Sequence, residues 1–205
     1  MADTGRLFVL IGPGGSGKTA IITAVRSLRP EIRFVPTTTT RPPRPGEMHG
    51  REYLFVSEET FQQLMHSGAL LEWETIHGHL YGTQQGPLTA LLSQGQAGIT
   101  SLDYKGGIAV SRAFPNNAIT IFVQPGSLEE LRVRLECRPG TTQQDASARL
   151  LRAQEEQLHA HDFNYLITNR NGQIEDAITA VLAIIDRHFR VTGAYSHAKI
   201  DPSDK

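Results

Sequence analysis

The chain has 205 residues, 39% of them apolar, and a formal net charge of -1, which suits one globular unit with small inserted lobes. Near-neutral charge gives no basis for broad nucleic-acid or membrane binding, and no apolar run approaches the length of a membrane span. Cys137 is the single cysteine, which excludes an internal disulfide and a cysteine metal cluster.

The polar start, Met1 to Arg6, lacks the apolar core of a signal peptide, so a reducing cytoplasm is the expected setting. Leu7-Phe-Val-Leu-Ile11 predicts a strand and residues 19–28 a helix. Between them stands Gly12-Pro-Gly-Gly-Ser-Gly-Lys-Thr19, with the spacing of a strand–loop–helix phosphate-binding loop. Its glycines let successive backbone N–H groups turn inward around phosphate oxygens. The helix N-terminus adds its dipole to the same anion. Gly12, Pro13, Gly14, Gly15, Ser16, Gly17, Lys18 and Thr19 are therefore candidate ligands of a nucleoside triphosphate. Lys18 suits the β- and γ-phosphates, and the Thr19 hydroxyl suits Mg²⁺.

The helix ends at Arg29-Pro30, and Ile32 to Val35 predicts a second short strand. Prolines keep residues 37–46 extended and non-helical. In a polyproline-like stretch Arg41 and Arg44 fall on one side, either as a forked phosphate site or as a solvated linker. From Tyr53 to Thr83 short strands surround one helix, which marks an inserted lobe. Tyr53 to Val56 is a strand, Ser57 caps a helix bearing Phe61, Leu64 and Met65, and Gly68 closes it. Leu70 to Ile76 alternates as a strand and is followed by a turn over residues 77–82. If Trp73 packs in the lobe, Glu72 faces the opposite side and the cleft; otherwise Glu72 is an exposed strand carboxylate. His77 and His79 lack a third ligand in view and fit a surface turn better than a metal site.

The αβ alternation then resumes. Pro87 to Ser93 is a helix and Gly98 to Asp103 a buried-type strand with its carboxylate at the ligand edge. Lys105 to Phe114 is a helix and Ala118 to Val123 a core strand. Ser127 caps a helix with Leu128, Leu131 and Leu135 on its apolar stripe. That helix carries Arg132, Arg134 and Arg138; a polar loop and a second helix, 145–161, with Arg149 and Arg152, follow. This helix–loop–helix is a candidate lid, although helix-face charge accounts for Arg132 and Arg152. Tyr165 to Thr168 is the last strand and residues 173–188 the last helix. Five strands alternating with helices predict a parallel, three-layer α/β core.

Taken together these segments resemble guanylate kinase over residues 6–187. The resemblance rests on Gly12 to Thr19, on Thr39-Thr-Arg-Pro-Pro-Arg-Pro-Gly-Glu47 with Gly50 and Tyr53, and on Glu72-Trp73 and Tyr81-Gly-Thr83. Leu102-Asp103 with Gly106 and Ser127 to Leu131 complete it. It implies a P-loop nucleotide kinase that moves a phosphoryl group from ATP, with Mg²⁺, to GMP or dGMP, working as a monomer or homodimer. It further implies that Arg41, Arg44, Tyr53 and Tyr81 hold the acceptor phosphate and that Thr37, Glu72, Thr83 and Asp103 read guanine. Arg134, Arg138 and Arg149 would close onto the transferring phosphoryl group and exclude water. The implied division is a core over 1–36, 85–137 and 151–190, an acceptor lobe over 37–84, a lid over 138–150 and a polar tail over 191–205. Three positions depart from the pattern: Ser101 replaces an acidic residue, Lys105 a glutamine, and Pro139 stiffens the lid entry. Two other readings of the same pattern are a non-catalytic phosphopeptide-binding module and a kinase for ribose 1,5-bisphosphate.

Overall fold

Five consecutive apolar residues, Leu7 to Ile11, can be buried only where both faces of a strand are covered, and the computed structural model covers both. It describes residues 5–76, 78–137 and 142–189. In chain order the first half comprises β1 (Arg6–Ile11), α1 (Lys18–Leu28), β2 (Arg33–Phe34), β3 (Thr37–Thr39), β4 (Tyr53–Phe55), α2 (Glu58–His66), β5 (Leu70–Ile76) and β6 (His79–Gln84). The second comprises α3 (Gln85–Ser93), β7 (Ala97–Leu102), α4 (Tyr104–Ala113), β8 (Ala118–Pro125), α5 (Leu128–Glu136), α6 (Gln143–Leu158), β9 (Tyr165–Asn169) and α7 (Ile174–His188).

The main sheet has five parallel strands, as the alternation predicts, in the order β2-β7-β1-β8-β9. Side chains of β1 alternate between two cores. Phe8 and Leu10 meet Ile21, Ile22 and Val25 of α1 and Val181 and Ile185 of α7. Leu7, Val9 and Ile11 meet Leu88 of α3, Val110 of α4, and Phe122, which stacks on Phe163. Ile11 is level with Leu102 and Phe122, so the phosphate loop and Asp103 leave the sheet at the same edge.

A second, four-stranded sheet has the order β4-β3-β6-β5, with β3 parallel to β4 and the other pairs antiparallel. The sequence reading differs from it in two places. Most of the span 77–82, expected as a turn, is strand instead, because His79 already pairs with Ile76 and β6 runs on to Gln84. The extended 37–46 segment begins as β3 and ends in a tight turn, where Glu47 N–H bonds Arg44 C=O at 3.0 Å. Pro45 and Gly46, at φ 87°, occupy the two central positions that a type II turn assigns to proline and glycine.

α5 and α6 pack through Leu131 and Leu135 against Ala146, Leu150 and Ala153, the alanines letting the helices approach closely. α6 starts at Gln143, earlier than the sequence pattern gave. Thr142 and Asp145 form a reciprocal capping box, with Asp145 N–H to Thr142 Oγ1 at 3.1 Å. Arg138, Pro139 and the rest of 138–141 lie outside the described residues, as do His77 and the tail after 189. Among the described residues no helix is long and apolar enough to cross a membrane.

Phe61 is the buried anchor of α2, its ring lying against Gly82 of β6. Phe61→Ala should destabilise the protein by about 3–5 kcal/mol through lost contact and the cavity left behind. Guanidinium unfolding checks this, and an unchanged midpoint would show that the second sheet does not depend on α2.

Candidate active site

The phosphate loop crosses from β1 to α1 with Gly12, Gly15 and Gly17 at φ 133°, 91° and 100°. At Gly17 a side chain is excluded twice, by the backbone angle and by Asn169, whose Nδ2 lies 2.2 Å from where a Cβ would stand. That nitrogen donates to Ser16 C=O at 2.8 Å, so the end of β9 pins the loop. The first turn of α1 has neither a side-chain cap nor an acidic residue, which leaves its N–H groups available to an anion. Lys18 Nζ donates to Gly12 C=O at 2.5 Å and Pro13 C=O at 3.0 Å. Burial pushes the ammonium of Lys18 down, against the charges of Glu156 and Asp103. Ser16 is fully buried and does not line the cleft, and its N–H bonds Pro13 C=O at 3.2 Å, so the structure does not bring it to the site with the rest of the loop.

This loop forms one end of a cleft of about 630 Å³ that also takes in Thr19, Thr37, Arg41, Arg44, Tyr53, Glu72, Tyr81, Asp103, Arg134 and Arg149. Almost all the sequence candidates therefore converge there. Arg41 is buried, at 8% exposure, and bonded on all sides. Its Nη2 donates to both Glu47 oxygens at 3.0 and 2.9 Å and its Nε to Tyr81 Oη at 3.1 Å. The rings of Tyr53 and Phe55 lie 5.4 and 5.6 Å from its guanidinium. Glu47 also accepts from Arg44 N–H at 2.8 Å. Thus the Pro45-Gly46 turn and Glu47, rather than a three-residue polyproline period, bring the two arginines together. Glu47 belongs to the motif but was not singled out as a site residue.

Glu72 does face the cleft, although Trp73 is 50% exposed and packs in no core. A register shift between Leu70 and Glu72 and a bond from Thr83 Oγ1 to Glu72 Oε1, 2.5 Å, set its direction instead. Thr83 is buried behind Glu72 and does not itself line the cleft. Burial pushes the Glu72 carboxyl up, partly offset by Thr83. Asp103 follows β7 and caps α4, accepting from Gly106 N–H at 2.8 Å. Glu72 Oε1 and Asp103 Oδ1 lie 3.2 and 3.3 Å from one point above Gly106, so the two carboxyls converge. Together they offer acceptors to a ligand edge that carries adjacent N–H donors.

Arg134 bonds Asn171 Oδ1 at 2.7 Å and Asn169 C=O at 2.8 Å beside the phosphate loop. Arg149 places Nη1 near Gly14 of that loop. Arg132 points away and pairs with Glu129 and Glu136 as ordinary helix-face charge. Arg152 differs from that reading: it lines the cleft and bonds Glu74, Asp103 and Glu156. Lys105 pairs with Glu74 at 2.5 Å and is not a cleft residue. Sequence reasoning missed Arg152, Glu74, Glu156 and Asn169. Only Asn169 had a readable signal, a polar residue at the ligand end of a core strand. No group of three or more His, Cys, Asp or Glu suited to a metal occurs among the described residues.

Burial pushes the Asp103 carboxyl up to about 7, reinforced by its hydrogen bond with Glu74 and the charges of Glu74 and Glu72. Burial also opposes ionisation of Glu74, but bonds with Asp103 and Lys105 and the charge of Arg152 outweigh it and hold Glu74 near 2. An acid raised on folding stabilises the fold below its unfolded value, 3.8, and loses that contribution as pH rises through about 7. Asp103→Asn keeps the capping oxygen and removes this loss. Its stability relative to the parent should therefore improve between about pH 5 and about pH 8, read from guanidinium midpoints. A pH-independent difference would show that Asp103 is ionised throughout that range.

Comparison with known proteins places the chain as a whole. Residues 4–188 match the guanylate kinase family. A guanylate kinase of Thermotoga maritima is 36% identical over 181 residues, covering 88% of this chain and 86% of that one. A guanylate kinase of Polaromonas sp. is 39% identical over 165 residues, 80% of each chain. The crystal structure of guanylate kinase from Anaplasma phagocytophilum superposes with a TM-score of 0.72 at 25% identity, covering 92% of this chain and 89% of that one. With its phosphate loop and arginine-lined cleft, the chain belongs to the guanylate kinase family.

Proposed function

We propose that the chain transfers the γ-phosphoryl group of ATP to GMP and dGMP, giving ADP and the nucleoside diphosphate. The observation that carries this reading is one cleft uniting a phosphate loop, a second anion site at Arg41 and Arg44, and a carboxyl pair at Glu72 and Asp103. In this reading residues 37–84 hold the acceptor, 138–150 act as the lid, and the remaining described residues form the donor-binding core.

The acceptor phosphate is taken by Arg41 and Arg44, with Tyr81 and Tyr53 at its edge. Arg41 is held rigid by Glu47 and two rings, so little side-chain freedom is lost on binding. Glu72, steadied by Thr83, and Asp103 accept the adjacent N1–H and 2-amino protons of guanine, with Thr37 alongside. Adenine lacks both donors and would leave the carboxyls unpaired. On the donor side, loop N–H groups and the start of α1 cradle the triphosphate, and Lys18 exchanges its loop carbonyls for phosphate oxygens. An oxygen of the acceptor phosphate then bonds to the γ-phosphorus as the bridging β–γ P–O bond breaks. The three equatorial oxygens carry charge in this step, and Lys18, Arg134, Arg138 and Arg149 neutralise it.

The residues also fit Mg²⁺. Thr19 lines the cleft beside Lys18, and its hydroxyl is the kind of oxygen donor that Mg²⁺ takes together with phosphates and waters. Bound there through Thr19, Mg²⁺ would offset negative charge on the β- and γ-phosphates.

Coupled ATP consumption should be seen with GMP and dGMP and not with AMP or ribose 1,5-bisphosphate. Tight ATP binding without acceptor-dependent turnover would instead favour a binding module. Lys18→Ala should lower kcat by about 10²–10³-fold or more, and a near-normal kcat would make Lys18 purely structural. Glu72→Ala should raise KM for GMP by about 10²-fold and erode the preference over AMP, with kcat falling much less. An unaltered GMP-to-AMP ratio of kcat/KM would show that Glu72 does not read the base.

A further inference from the structure

Charge that the proposed mechanism leaves unused gathers at one place in the cleft wall. Arg152 stands on α6, three residues after Arg149 and so close to the same helix face. Its Nη2 donates to Glu74 Oε2 at 2.9 Å and to Asp103 Oδ2 at 3.0 Å, and its Nε to Glu156 Oε1 at 3.1 Å. Glu74 stands on β5, two residues beyond Glu72, and its other oxygen takes Lys105 Nζ at 2.5 Å. One guanidinium therefore joins α6, the second sheet and the N-terminus of α4. These are not solvated surface pairs: the side chains of Arg152, Glu74 and Asp103 are 27%, 21% and 16% exposed, and all three line the cleft.

We propose that Glu74 and Arg152 are positioning residues for the acceptor base, clamping the Asp103 carboxyl between β5 and α6 so that it meets guanine in one orientation and one charge state. This rests on the reading that Asp103 accepts from guanine. Orientation follows from the contacts, since Asp103 Oδ1 is fixed by Gly106 N–H and Oδ2 by Arg152. Charge state matters because only the ionised carboxylate is purely an acceptor. Glu72 and Glu74 on β5 oppose ionisation of Asp103. Arg152 on α6, itself shared with Glu156, favours it, as do Lys18 on α1 and Lys105 on α4. Glu74 is thus the lever that sets the pH below which the base is refused. Because α6 also carries Arg149, the clamp ties the helix over the phosphate loop to recognition of the acceptor.

The test is kcat/KM against pH for GMP and for ATP in the parent, Glu74→Gln, Arg152→Met, Arg152→Lys and Asp103→Asn. The acid limb of the GMP profile should move to lower pH in Glu74→Gln and to higher pH in Arg152→Met. Arg152→Met should also raise KM for GMP about tenfold or more, with kcat and KM for ATP little changed, and Arg152→Lys should recover part of the loss. Coincident acid limbs, or equal rises in KM for both substrates, overturn the clamp. Asp103→Asn separates the two readings. If it leaves KM for GMP unchanged, Asp103 does not read the base and the clamp falls with it. If it raises KM while the Glu74 and Arg152 variants behave as the parent, only the clamp falls.

Discussion

A charge drawn out of water must find a partner, and the kind of partner each cation has found decides the character of this cleft. Around the phosphate loop the partners are mostly backbone carbonyls: Gly12 and Pro13 for Lys18, Asn169 for Arg134. Carbonyls satisfy the N–H donors without cancelling the positive charge. At the base end the partners are carboxylates, in excess over the cations they surround. The cleft therefore changes character along its length, cationic where a triphosphate lies and rich in carboxyl acceptors where guanine presents donors. Arg41 sits between these regimes, balanced by the single carboxylate Glu47 but braced by two rings.

The parallel sheet makes this polarity possible. Level strand ends bring the phosphate loop and Asp103 out at one edge, and the second sheet faces that edge with Glu72, Glu74 and Tyr81. Each sheet brings one anion site and one base acceptor, the phosphate loop with Asp103 and the Arg41–Arg44 pair with Glu72, so the carboxyl pair exists only where the two sheets meet. Catalysis in this arrangement is largely placement of charge, so the groups that hold the cleft's own charges in place, as Arg152 holds Glu74 and Asp103, belong to it as much as those that touch the phosphates.

What could be read from the sequence was what short-range chemistry dictates. The phosphate loop is a backbone conformation that eight consecutive residues encode, and the core strands are continuous apolar runs. The direction of Glu72 was a different matter. Simple alternation tied it to burial of Trp73, yet Trp73 is exposed, and a register shift with Thr83 does the orienting. The Arg41–Arg44 pairing depended on a turn at Pro45-Gly46 that the proline-rich composition concealed. Arg152 and Glu74 were illegible for a deeper reason. They meet across 78 positions of chain, and nothing local separates a helix-face arginine that meets solvent, as Arg132 does, from one that turns into a cleft.

The exposure of Trp73 has an optical consequence. It is the single tryptophan of the chain, half open to solvent, on the strand position between Glu72 and Glu74. Indole emission shifts and changes in yield with its surroundings, and here it arises from one position on the second sheet. Any change in what surrounds that strand would be read in the native fluorescence of the protein, with no dye, label or engineered reporter required.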